Sequence, residues 1–323
     1  MRLSLRPRTI MGHLAYAGLA LSLVATARTA EPSAAVAAAG IAVQCQDEIS
    51  PLRVRALTVL PGETVTFELV TPEPALGYEA QPAGGQLVSL DTGRWEWTSP
   101  PDPGLYPIQV IAPDGAAAVI LQAFVVVPYD RLQGDFMNGY RIGRYPKKPL
   151  RGLADYRRPA GFVEVTRENE DVMVSPHFHL KQFLCKQPAD SQRYVVLNDR
   201  LLLALEQILE RVNQAGYRAT TFHIMSGYRT PAYNSSLGNV SYSLHQWGAA
   251  ADIFIDENED GVMDDLNSDG LSDIHDAEVL YRLVDDAAQS ESQGLIGGLG
   301  KYPSTASHGP FVHVDVRGRK ARW

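Results

Sequence analysis

Ser243-Leu244-His245-Gln246-Trp247-Gly248-Ala249-Ala250-Ala251-Asp252 runs directly into Ile253-Phe254-Ile255. At Gly248 the sequence turns to small and then bulky apolar residues. That is the texture of a tight turn feeding a close-packed strand over residues 249–255. Such a turn would fix His245 and Asp252 near one another. A second strand-like run, Phe311 to Val316, carries His313 and Asp315 two residues apart, so both side chains face one side. Upstream, Thr220 to Met225 is strand-like and leads into Ser226-Gly227-Tyr228-Arg229-Thr230. Helices interleave with these strands. Asn198 can cap a helix over 199–214, where Leu201, Leu202, Leu205, Ile208, Leu209 and Val212 recur at helical spacing and Gly216 supplies a stop. Thr230-Pro231 opens a short helix that Gly238 can end, and residues 277–289 read as another. The expected class for residues 173–323 is therefore α+β.

Two histidines and an aspartate form a donor set that zinc accepts. A catalytic zinc site uses three protein ligands and keeps one position for water. Taken with the Ser226-Gly227-Tyr228-Arg229 segment, the His245-x6-Asp252 spacing and the Phe311-Val312-His313-Val314-Asp315 strand, residues 173–323 resemble the M15 family of zinc D-Ala-D-Ala carboxypeptidases and murein endopeptidases. The resemblance implies a peptidase fold of the D-Ala-D-Ala carboxypeptidase/hedgehog-like type, with His245, Asp252 and His313 as zinc ligands. It also implies that Arg229 holds the substrate by a carboxylate or carbonyl oxygen, a task suited to its planar fork. Many relatives carry an acid three residues before the last histidine. Here that position is Pro310, which cannot accept a proton. Asp315 could serve as the base or as the partner that orients His313, and His308 is a further candidate. The ending Gly297-Gly298-Leu299-Gly300-Lys301-Tyr302-Pro303 followed by the His313 strand resembles a subgroup of M15-like proteins. His177 and His179 read as structural.

Between the Asp252 strand and the last helix lies an acidic insertion, residues 256–276. Asp256-x-Asn258-x-Asp260-Gly261-x-x-Asp264 is followed at once by Asp265-x-Asn267-x-Asp269-Gly270-x-x-Asp273. Oxygen ligands at positions 1, 3 and 5 with Gly at 6 suit a calcium loop. Asp276 falls at position 12 of the second copy and Asn267 at that of the first. Carboxylates packed this closely repel without a cation, so the expectation is bound Ca²⁺ with a structural role. A solvated acidic loop is the alternative.

Towards the N-terminus, residues 51–128 alternate Val, Thr and aromatic runs with Pro/Gly turns. That pattern favours a small all-β, sandwich-like domain, joined to the second domain by a connector over 129–172. Residues 28–50 read as a flexible leader. Residues 1–27 read as a secretory signal: Arg2, Arg6 and Arg8, an apolar stretch from Ile10 to Val24, then Ala25-Thr26-Ala27. The stretch is short of the ~20 residues that span a bilayer, and no later segment is apolar enough to do so. In an oxidising export compartment the two cysteines, Cys45 and Cys185, can form one disulfide or remain separate buried thiols.

The chain has 323 residues, 45% of them hydrophobic, and a formal charge of −8. Losing the signal removes three arginines and no acids, which takes the charge to −11. A chain so acidic is poorly suited to nucleic acid. The expectation is an exported protein of the periplasm or cell envelope, with peptidoglycan peptides as partners, that cuts amides in stem peptides or cross-links. The alternatives are a peptidoglycan-binding scaffold that keeps the zinc fold without turnover, favoured by Pro310, and a calcium-dependent adhesion module.

Overall fold

Alternating β-branched and aromatic residues before residue 128 favour strands that bury every second side chain. The computed structural model describes residues 40–323 apart from 46–47, 190–191 and 291–295. The expected signal, residues 1–27, lies outside the described residues, as do residues 28–39. Ten strands cover the N-terminal portion: β1 (Ala42–Cys45), β2 (Glu48–Ser50), β3 (Val54–Val59), β4 (Thr64–Val70), β5 (Glu79–Pro82), β6 (Gln86–Asp91), β7 (Arg94–Thr98), β8 (Gly104–Leu105), β9 (Ile108–Ile111) and β10 (Ala117–Val125). They build two sheets, ordered β2-β1-β4-β7-β6 and β3-β10-β9-β5, with β8 paired to β10. Phe67, Trp95, Trp97, Ile108, Val110 and Leu121 share one core. Phe67 and Trp95 stack there at 5.4 Å.

Two expectations are corrected in this portion. Within the stretch 28–50 assigned to a flexible leader, residues 42–45 form β1 and residues 48–50 form β2, and β1 pairs with both β2 and β4. The cause is alternation: Val43 and Cys45 both turn into the core. The Cys45–Cys185 disulfide is not formed, and both thiols are free and buried. Cys45 belongs to the core of the N-terminal sheets and Cys185 to a second, larger core, so the two sulfurs sit among different neighbours.

Seven short strands follow: β11 (Val127–Pro128), β12 (Phe136–Met137), β13 (Tyr140–Arg141), β14 (Gly161–Val165), β15 (Met173–Ser175), β16 (Phe178–His179) and β17 (Arg193–Val195). They make a small β11-β14-β17 sheet and two hairpins. The remaining elements are α1 (Asp199–Gln214), β18 (His223–Ser226), α2 (Pro231–Ser236), β19 (Ala250–Phe254), α3 (Ile274–Ser290), β20 (Gly298–Tyr302), β21 (Phe311–Asp315) and β22 (Ala321–Arg322). Asn198 caps α1 through Oδ1, which accepts from the amides of Arg200 and Leu201. Thr230 caps α2, with Pro231 in the first turn. The fold is mixed α+β, mostly sheet.

The last five strands form a sheet ordered β18-β19-β21-β20-β22. Its register sets Ser226 opposite Asp252, Asp252 opposite His313, and His313 opposite Gly300. Helix α3 packs on β20 and β21 and against α1. The larger core runs through this sheet and its helices and takes in Leu52, Ala56, Phe124 and Val126 from the N-terminal portion.

Candidate metal centre

The approach to the site is built by one glycine. Leu244–Trp247 form a single 3-10 turn, and Gly248 closes it in the left-handed region at φ 62°. A Cβ at residue 248 would overlap the carbonyl oxygen of Val196. Only glycine fits such a position without strain. The chain then enters β19, which carries Asp252 across the sheet from His313.

Three donor atoms converge there. His313 Nδ1 lies 2.8 Å from Asp252 Oδ1 and 3.3 Å from His245 Nε2, and His245 Nε2 lies 3.3 Å from Asp252 Oδ1. The far side of each group is already committed. His245 Nδ1 is 2.7 Å from the carbonyl oxygen of Gly227, so that nitrogen carries the proton and Nε2 faces inward with its lone pair. His313 Nε2 is 3.2 Å from Asp315 Oδ2, which leaves Nδ1 facing inward. Arg229 donates from Nη2 to Asp252 Oδ2 at 2.5 Å, leaving Oδ1 inward. Zinc bonds of about 2.0–2.1 Å place neighbouring tetrahedral ligands about 3.3 Å apart. The donor set and its spacing therefore fit a zinc ion bound by His245 Nε2, His313 Nδ1 and Asp252 Oδ1. Among the described residues this is the one group of three His, Cys, Asp or Glu whose ligand atoms all lie within 4.8 Å.

Charge in the site follows from burial and neighbours. Burial lowers the His245 pKa, and Asp252 opposes this only in part. Burial would raise the Asp252 carboxyl, but the two imidazoles hold it far below the usual range. Burial would likewise lower His313. Its hydrogen bonds to Asp252 and Asp315 outweigh that and raise it to about 9.

Asp315 is placed to orient His313. It is buried, and its oxygens accept from the amides of Gly298 and Arg317 and from the Arg317 guanidinium. Those bonds hold its carboxyl well below the usual range despite burial. A carboxylate so saturated has no lone pair free to take a proton from water, so its expected role as general base is set aside. Arg229 is tied to the metal-facing carboxylate. Its Nε donates to Ser226 Oγ and its Nη2 to Asp252, so it lines the cleft with its fork already engaged by the carboxylate.

A cleft of about 810 Å³ opens over the three donors. His308 lines it, edge-on to Phe311 at 5.1 Å, with Nδ1 donating to the carbonyl oxygen of Gly309. Sequence reasoning missed Tyr156, Tyr302, Arg317, Arg319 and Trp323, which line the same cleft. Trp323 lies 5.5 Å from the His313 ring, donates from Nε1 to the Tyr302 hydroxyl at 2.6 Å and carries the Arg317 guanidinium at 5.1 Å. The available signal was the basic run Arg317, Arg319, Lys320 and Arg322 in an acidic chain.

His177 and His179 lie elsewhere. The former pairs with buried Glu206 and the latter with the carbonyl oxygen of Asp171. In the insertion the sequence repeat is also a structural repeat. Asp256 accepts from the amides of Asp260 and Gly261, and Asp265 from those of Asp269 and Gly270. Asn258 and Asn267 each accept the amide two residues on, as do Asp260 and Asp269. Asp264 accepts the amide of Glu257, and Asp273 that of His275. Asp276 is fully buried and accepts from the amides of Leu266, Asn267 and Asp273, so position 12 is occupied by backbone donors. The calcium expectation gains no support from this arrangement.

No curated protein matches the chain. Residues 176–275 match the family model described as Peptidase M15, a stretch that includes His245 and Asp252 and ends before His313. The C-terminal region of this chain carries an M15 peptidase domain.

Proposed function

We propose that the chain is an exported zinc peptidase that hydrolyses amide bonds in peptidoglycan stem peptides or cross-links, on a fold akin to the D-Ala-D-Ala carboxypeptidases. The observation that carries this reading is the convergence of three potential ligand atoms, His245 Nε2, His313 Nδ1 and Asp252 Oδ1, each on a group whose outer face is already hydrogen-bonded. Zinc held there would supply a Lewis acid that polarises the scissile carbonyl and activates water. The rest of the work falls to the chain. Asp315 holds His313 in the tautomer that presents Nδ1. Arg229 holds Asp252 Oδ2, so that a single oxygen faces the metal position. His308 is the imidazole lining the cleft outside the triad, and it moves the proton between water and leaving amine. The β-rich N-terminal portion would seat the enzyme on the wall or on a partner.

The second reading is a wall-binding scaffold without turnover. Pro310 in place of an acid favours it. Digestion of purified muropeptides, analysed by mass spectrometry with and without chelator, separates the two. The peptidase reading expects new amine and carboxyl termini only when metal is present. A His245→Ala variant that cuts as well as the parent would remove the zinc mechanism.

A further inference from the structure

Three arginines line the cleft, and they differ in what they already hold. Arg229 is committed to Asp252 and Ser226. Arg317 is committed to Asp315 and lies over the Trp323 ring. Arg319 is exposed and has no ion-pair or hydrogen-bond partner among the described residues. Tyr156 lines the same cleft. Its ring is fixed edge-on against Tyr242 at 5.9 Å and Trp247 at 5.2 Å, while its hydroxyl, within the field of Arg317 and Arg319, has no hydrogen-bond partner among the described residues. The single carboxylate among the lining residues is Asp252, whose two oxygens are engaged. Asp155 and Asp315 are the acids that act on Tyr156, and they are paired with Arg200 and Arg317. A guanidinium and a hydroxyl in one cleft, each without a hydrogen-bond partner, match the acceptors of a carboxylate. The setting sharpens the point. A chain of net charge −8 repels acidic peptides at long range, so an acidic substrate needs a local cation to stay.

We infer that Arg319 and Tyr156 form a carboxylate-binding subsite in the cleft, and that the peptide substrate is anchored there by a carboxylate away from the bond cut. The inference rests on the peptidase reading for the identity of the peptide, but not for the existence of the subsite. It also reassigns the anchoring task that the family resemblance gives to Arg229.

The test uses the zinc-loaded full chain and the pentapeptide L-Ala-γ-D-Glu-L-Lys-D-Ala-D-Ala in three forms: free acid, amidated at the D-Glu α-carboxyl, and amidated at the C-terminus. Binding is read from tryptophan fluorescence and hydrolysis from mass spectrometry, for the parent, Arg319→Ala and Arg319→Lys. One of the two amidations is expected to weaken binding to the parent by about tenfold or more, as for loss of a charge-assisted bond. Arg319→Ala should bind the free acid and that amide alike, and Arg319→Lys should keep part of the preference. Which amide matters tells the side-chain carboxylate from the terminal one. A parent that binds all three forms equally, or a discrimination that survives Arg319→Ala, overturns the subsite. Discriminating binding without cleavage would sink the peptidase reading and leave the subsite standing. Cleavage without discrimination does the reverse, and failure to bind any form removes both.

Discussion

At the scale of single residues, the site is a set of side chains each held from behind. Asp315 has the plainest consequence. Its carboxylate touches His313 Nε2 and is itself fixed by Arg317 and the Gly298 amide. Asp315→Asn keeps the volume but loses the charge, and loss of such a partner typically costs about 10–100-fold in metal affinity or activity. Competition with a zinc-sensitive dye measures this, and unchanged affinity would show that His313 needs no such support. His313 gives a second prediction, with its sign set by a pKa raised to about 9. A raised histidine contributes stability below its ordinary value near 6.5 and loses it as pH rises through 9. The chelated protein should therefore melt at progressively lower temperature across that window. Zinc needs the same nitrogen unprotonated, so the zinc-loaded protein should lack the trend. Melting curves of the chelated form that stay flat from pH 6.5 to 9 would contradict the assignment.

At the scale of elements, the glycines of β20 are spacers for the groups beside them. A Cβ at Gly298 would overlap the Asp315 carboxylate, and one at Gly300 would overlap the Trp323 indole. Gly298→Ala should therefore weaken zinc binding. Gly300→Ala should displace Trp323 and leave most stability intact. Trp323 is 45% exposed while Trp95, Trp97 and Trp247 are buried, so acrylamide quenching of fluorescence reports its displacement selectively. Unchanged quenching in Gly300→Ala would mean the indole does not rest on residue 300. The same strands mark what sequence can yield. Asp252 and His313 were legible because strand alternation and the Gly248 turn constrain them locally. Trp323 was not, since it reaches His313 only through β22, which pairs in parallel with β20. The hold of Arg229 on the metal-facing carboxylate was also hidden, because spacing fixes which residues meet and not which oxygen is used. Strands β5 and β6 escaped notice because their side chains are mostly exposed and leave no inward apolar pattern.

At the scale of the whole molecule, the question is whether the N-terminal sheets and the peptidase portion are separable. The sequence divides them near residue 128, but the packing does not. Arg55 on β3 reaches across to Asp199 at the start of α1 at 2.8 Å, and it also donates to the carbonyl oxygens of Val43 and Glu48. Removing it would leave carbonyl groups without a donor and a helix terminus untied, a loss of about 2–4 kcal/mol. Leu52, Ala56, Phe124 and Val126 go further, because they complete the core that also holds Leu201 and Leu205 of α1 and the strands of the metal site. Stripping residues 40–125 from the chain would expose that apolar face to water, at about 25 cal/mol for each Å² of surface uncovered. A fragment of residues 126–323 should therefore aggregate or bind a hydrophobic dye, and the full chain should melt in one cooperative transition. Circular dichroism and zinc titration of the fragment decide it. A fragment that folds with a sharp transition and binds zinc as tightly as the parent would show that the N-terminal sheets are an attachment and not part of what holds His245, Asp252 and His313 in place.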